Sequence, residues 1–190
     1  PPRLRGAHYA LTLGVVIVMV LAAFVRADGT PFAARMGERA PNFVLISMDG
    51  SRVELNDFAG RPVLLNFWTT WCDACLDELP WLQHVATDLE GVAHVLFMNL
   101  GEPPEVILPV LDGLGVHHGL VTRDPREEDR PWPEGVLPGR TVATRFRGYG
   151  VPTSILLDAD GRIAARFEGP VAPDALANAW ATVGVDGWVP

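Results

Sequence analysis

A chain of 190 residues with 48% apolar residues is long enough to bury a sizeable core in one domain. Its formal charge of −8 offers nucleic acid no basic footprint, and all 15 of its basic residues are arginines scattered without a cluster. Two cysteines three positions apart exclude a disulfide framework and leave a redox couple, half of a metal site, or an incidental pair.

Residues 9–25 carry no charge and follow Arg3 and Arg5. As a helix they reach about 25 Å, a little short of the roughly 30 Å hydrocarbon core, a difference that a thinner bilayer or snorkelling of Arg5 and Arg26 closes. The expectation is a retained single-pass anchor in the membrane lipid, with residues 1–8 cytoplasmic and the rest of the chain extracytoplasmic, on the periplasmic side. A signal peptide cleaved near Val25-Arg26-Ala27 is the alternative. Residues 26–36 contain Gly29 and Pro31 without periodicity and read as a linker, after which a single domain occupies 37–190.

Phe43 to Ile46 and Val53 to Leu55 flank the turn signal Asp49-Gly50 and predict an N-terminal β-hairpin. Val63 to Trp68 is a near-continuous apolar run, the pattern of a strand buried on both faces. Thr69 and Thr70 offer hydroxyls to cap the helix that begins around the cysteines. Leu76, Leu79, Leu82, Val85, Ala86 and Leu89 then mark one apolar helical face, with Pro80 predicting a bend and not a stop. A second buried-strand pattern over Val92 to Leu100 completes a strand–helix–strand unit, which implies parallel strands and a right-handed crossover.

Val106 to Leu114 reads as a helix and Gly119 to Thr122 as a short strand. Pro125 to Gly139 is proline-rich and charged, a long loop that is either a functional element or a solvated insertion. A short helix over Val142 to Tyr149 follows. Thr153 to Leu157, an Asp160-Gly161 turn and Arg162 to Phe167 form a second hairpin, and Pro173 to Val183 is the last helix.

Chemistry concentrates at Trp71-Cys72-Asp73-Ala74-Cys75. At the start of a helix directly after a buried strand, the Cys72 sulfur faces unsatisfied N–H groups and the positive end of the macrodipole, which favours its thiolate. Cys75 lies one turn further on the same face, within reach of a mixed disulfide formed at Cys72. Cys72 is therefore the nucleophile and Cys75 the resolving thiol, with Asp73 opposing part of the stabilisation. A structural zinc site needs four ligands, and the adjacent His117-His118 point to opposite faces of an extended segment, so neither a metal nor a cofactor is expected.

The ordered set of Gly37, Ala40, Pro41 and Phe43, then Asn66-Phe67-Trp68, Trp71-Cys72, Cys75, Glu78, Pro80, Val151-Pro152-Thr153 and Asp158, Asp160 and Gly161 resembles the membrane-anchored thioredoxin-like proteins of the TlpA/ResA type. It spans about Gly37 to Val183. The resemblance implies a thioredoxin-like α/β fold, a central mixed sheet flanked by helices, and thiol–disulfide oxidoreductase activity. It places Val151-Pro152 at the cis-proline position facing the cysteines, where the Val151 backbone would pair with an extended substrate, and sets Trp71 beside the sulfur or in the core. It puts Asn66 where thioredoxin has a buried aspartate, and Glu78 at the position of an acid that would help deprotonate Cys75. Asp77 has only the dipole-friendly role of an acid early in a helix. Asp73-Ala74 departs from the pattern, which often has proline before the second cysteine.

The expected activity is reduction of disulfides in client proteins, with cytochrome c or copper-site maturation as the family's purpose. In an oxidising compartment this requires a membrane thiol protein as electron donor. Two other readings remain: a Cu(I) delivery module, for which no Met- or His-rich tract accompanies the thiolates, and a thiol peroxidase, for which Thr69 fits but Leu65 stands where a proline is expected.

Overall fold

The computed structural model describes residues 35–116, 120–124, 142, 146 and 150–189. The expected anchor over 9–25, nearly all of the linker, the loop Pro125–Gly139 and all but Val142 and Phe146 of the helix expected over 142–149 lie outside them.

Seven strands form one mixed sheet: β1 (Val44–Ser47), β2 (Arg52–Glu54), β3 (Val63–Trp68), β4 (His94–Asn99), β5 (Leu120–Arg123), β6 (Thr153–Leu157) and β7 (Ile163–Glu168), in the order β2-β1-β5-β4-β3-β6-β7. Among the described residues they are accompanied by the helices α1 (Asp73–Asp88), α2 (Pro104–Leu114) and α3 (Pro173–Thr182). The apolar run of β3 takes the interior position its sequence demands, parallel to β4 and antiparallel to β6, with every residue of the strand buried. The crossover through α1 brings Val63 opposite His94 and Trp68 opposite Asn99. β1 pairs antiparallel with β2 across the Asp49-Gly50 turn and with β5 on its other side.

Side-chain alternation along β3 divides the core. Leu64 and Trp68 point to the face covered by α1, α2 and α3, in one cluster with Leu79, Leu82 and Val85 of α1, Ile107 and Leu111 of α2, and Leu176 and Trp180 of α3. Val63, Leu65 and Phe67 point to the opposite face, which is covered by Ala40, Phe43, Leu55, Val142 and Phe146. Complete burial of each such leucine or phenylalanine stabilises the fold by roughly 1.5–3 kcal/mol. Asn66 lies between Leu64 and Trp68, a polar residue in the middle of the helix-covered face.

Several boundaries differ from expectation. Leu55 does not extend β2 but opens a 3-10 turn (Leu55–Phe58) closed by a reciprocal cap in which Asp57 accepts the Glu54 N–H at 2.8 Å. β4 begins only at His94, because Gly91 adopts a left-handed φ of 78° and leaves Val92 in the preceding turn, half exposed. α2 starts two residues earlier than the apolar spacing indicated, since Pro104 suits a first helical turn, and it ends on left-handed Gly115. α1 runs through Pro80 without stopping.

Candidate active site

β3 ends at Trp68, and four residues beyond it Cys72 is itself the N-cap of α1. The Cys72 backbone is extended (φ −100°, ψ 97°), and its Sγ accepts the N–H of Cys75 at 3.2 Å. The sulfur thus takes the part that a serine or aspartate oxygen ordinarily plays at this position. This corrects the expectation that Thr69 or Thr70 caps the helix. The first turn forms too far downstream for either hydroxyl to reach its free N–H groups. Thr70 instead bonds Glu102, while Thr69 Oγ1 is buried with no partner among the described residues.

Glu102 is a site residue that local sequence patterns do not reveal. Its carboxylate accepts the Thr70 N–H at 2.7 Å, the Thr70 hydroxyl at 2.6 Å and the Asn99 Nδ2 amide at 2.7 Å, while its own N–H donates to Asn99 Oδ1 at 2.8 Å. The loop leading into Cys72 is therefore tied to the end of β4. The available signal was its location just past the carboxyl end of a parallel strand, where α/β sheets place their sites.

Cys72 and Cys75 are joined by a disulfide with Cα atoms 5.2 Å apart. Cys72 is 8% exposed and Cys75 only 1%, so a bulky partner meets Cys72 first. Trp71 is 70% exposed, which removes the core reading of this residue and leaves a large aromatic surface next to the more accessible sulfur. Asp73, Ala74 and Asp77 are exposed.

Glu78 lies one turn beyond Cys75 and is buried. Its Oε1 accepts from Asn66 Nδ2 at 3.0 Å and its Oε2 from the Val171 N–H at 3.1 Å. Burial raises its carboxyl to about 7, against the opposing pull of the Val171 and Asn66 hydrogen bonds, which favour the charged form. Asn66 Nδ2 also donates to Ser154 Oγ at 3.0 Å, its cross-strand partner on β6. Ser154 and the Val171 N–H went unrecognised in the sequence, since only strand register and chain return bring them to Glu78.

The Val151-Pro152 peptide is cis. Pro152 is buried, and its carbonyl accepts the Gly169 N–H at 2.9 Å. Val151 is half buried and packs against the cluster that contains Cys72 and Cys75. The segment from Gly169 to Val171 thus bonds both the Pro152 loop and the Glu78 carboxylate.

The arrangement supplies what dithiol exchange needs: a first sulfur that faces helix N–H groups and is the less buried of the two, a shielded second sulfur, and a buried acid one turn behind it.

Residues 36–178 match the AhpC/TSA family. The thiol-disulfide oxidoreductase ResA of Bacillus subtilis (strain 168) is 30% identical over 169 residues, covering 86% of each chain. The ResA of Bacillus thuringiensis subsp. konkukian is 28% identical over 142 residues, 74% of each chain. A putative thiol:disulfide interchange protein DsbE from Chlorobium tepidum superposes with a TM-score of 0.65 at 24% identity, covering 79% of this chain and 98% of that one. A thio-disulfide isomerase from Thermus thermophilus gives 0.61 at 26% identity, covering 80% and 99%. The mixed sheet and its helices form a thioredoxin-like α/β fold.

Proposed function

This chain belongs to the AhpC/TSA family and is a thiol–disulfide oxidoreductase of the ResA/DsbE type, and on that premise we propose that it reduces disulfides in client proteins on the extracytoplasmic side of the membrane. The observation that carries the reading is the asymmetry of the pair, with Cys72 at the N-cap of α1 and Cys75 buried ahead of the Glu78 acid.

In the reaction the Cys72 thiolate attacks one sulfur of a client disulfide. A bond forms between Cys72 and that sulfur, the client S–S bond breaks, and the second client sulfur leaves as a thiolate that takes a proton from solvent. Glu78, ionised, accepts the Cys75 proton. The Cys75 thiolate then attacks Cys72, closing the Cys72–Cys75 disulfide and expelling the first client sulfur. Two electrons pass to the client, and a thiol protein in the membrane returns them by the same exchange in reverse. Val151, beside Pro152, presents its backbone to an extended client segment, and Trp71 provides apolar contact next to the reacting sulfur.

The uncharged stretch over 9–25 behind Arg3 and Arg5 supports a periplasm-facing domain anchored in the membrane by a single-pass helix. The TlpA/ResA resemblance points to cytochrome c or copper-site apoproteins as clients. The test is a Cys75→Ser chain, which holds mixed disulfides on Cys72. Recovery of such apoproteins from the trap supports the reading, and a trap that stays empty while the reduced wild-type chain retains Cu(I) refutes it.

A further inference from the structure

We infer that Asn66 is a positioning residue for the Glu78 carboxylate, itself oriented by Ser154, and that the reaction requires an amide at this point of β3. The inference rests on Glu78 acting as the base for Cys75. Both hydrogens of the Asn66 amide are engaged, one on Glu78 Oε1 and one on Ser154 Oγ, each at 3.0 Å. Asn66 is 1% exposed and Ser154 is fully buried. They are cross-strand partners, so the backbone ladder sets their separation.

Turning the amide end for end would set Asn66 Oδ1 against a carboxylate that cannot donate to it when ionised. While Glu78 is ionised the network therefore admits one orientation, in which the carboxylate has a donor on each oxygen: the amide on Oε1 and the Val171 N–H on Oε2. Burial raises this carboxyl while the Val171 and Asn66 bonds pull it down, and the titratable groups that join it on reduction are the thiols of Cys72 and Cys75, which share one core cluster.

The choice of an amide follows from the charge it lacks. A cation in its place would pull the carboxyl down and leave a base too weak for a thiol, whereas an aspartate would compete with Glu78 for a single proton and keep it protonated. A neutral donor holds the carboxylate in place while leaving its basicity near that of the thiol it serves.

The test follows the second thionitrobenzoate release when the reduced chain reacts with dithiobis(nitrobenzoate), the step in which Cys75 resolves the adduct on Cys72, between about pH 5 and pH 9. Losing one hydrogen bond to a charged group corresponds to about one pH unit, so Asn66→Ala moves the acid limb upward by about that much, with a roughly tenfold slower release below it. Ser154→Ala moves the limb the same way by less. On the Glu78→Gln background Asn66→Ala changes neither rate nor profile.

A folded Asn66→Ala chain with an unmoved limb overturns the inference, as does a rate loss that persists undiminished on the Glu78→Gln background. Should Asn66→Ala lose its native melting transition, Ser154→Ala decides, and an unmoved limb there refutes it. A Glu78→Gln chain that keeps the limb removes the base assignment and this inference with it. A limb abolished by Glu78→Gln but untouched by Asn66→Ala and Ser154→Ala removes the inference alone.

Discussion

The sulfur of Cys72 accepts the backbone N–H of Cys75 at 3.2 Å, so the main chain of one cysteine holds the sulfur of the other at the helix N-cap. On reduction, a thiolate at Cys72 keeps that donor, while Cys75 stays shielded in the core. Iodoacetamide should therefore alkylate Cys72 well before Cys75, as read by mapping the labelled peptide at partial modification. Predominant label on Cys75 would reverse the roles.

The Glu78 carboxyl is raised from its ordinary 4.5 to about 7, chiefly by burial. The native state then binds a proton that the unfolded chain has already released. The contribution is fully present below about pH 4.5 and is lost as pH rises towards about 7, by on the order of 3 kcal/mol. Urea unfolding of the oxidised chain at a series of pH values, minus the same curve for Glu78→Gln, should show this fall. A flat difference would mean that the acid is solvated in the native state.

Glu102→Ala leaves the Thr70 N–H, the Thr70 hydroxyl and the Asn99 amide without their shared acceptor. The expected cost is about 1–3 kcal/mol, together with a several-fold slower first attack as the loop before Cys72 loosens. Thermal melting and the rate of the first exchange step check the two effects separately. Unchanged melting would show that water replaces the carboxylate at no cost.

Trp71 is largely exposed, so Trp71→Ala should alter stability by no more than about 0.5 kcal/mol. Reduction of a protein disulfide should fall, while reduction of a small aromatic disulfide stays near wild type. Equal losses on both substrates would place the ring's role at the sulfur and not in client contact.

The central sheet was legible because its signals are local. Val63 to Trp68 is apolar without a break, and Leu79, Leu82 and Val85 recur at helical spacing, so β3 and α1 could be read directly. The cysteine pair was legible for the same reason. The rest of the site depends on partners far along the chain: Asn66 and Ser154 are 88 residues apart, Glu78 and Val171 are 93 apart, and Thr70 and Glu102 are 32 apart. No periodicity encodes such pairings, which arise only once strand order and register are fixed. The capping expectation at Thr69 and Thr70 failed for a related reason, because residue preference proposes a hydroxyl and the geometry of the turn assigns the place to a sulfur.

One half of the grip on Glu78 comes from the Val171 main chain, and a main-chain donor is indifferent to spelling. Every residue type except proline brings the same N–H to position 171, so substitutions there can disturb packing but leave the bond in place. Insertions and deletions act differently. Adding or removing one residue between the end of β7 and the start of α3 would displace the donor from the acid whatever side chains were kept. The buried Glu78 carboxyl is thus protected against drift in composition at this point and vulnerable to drift in length.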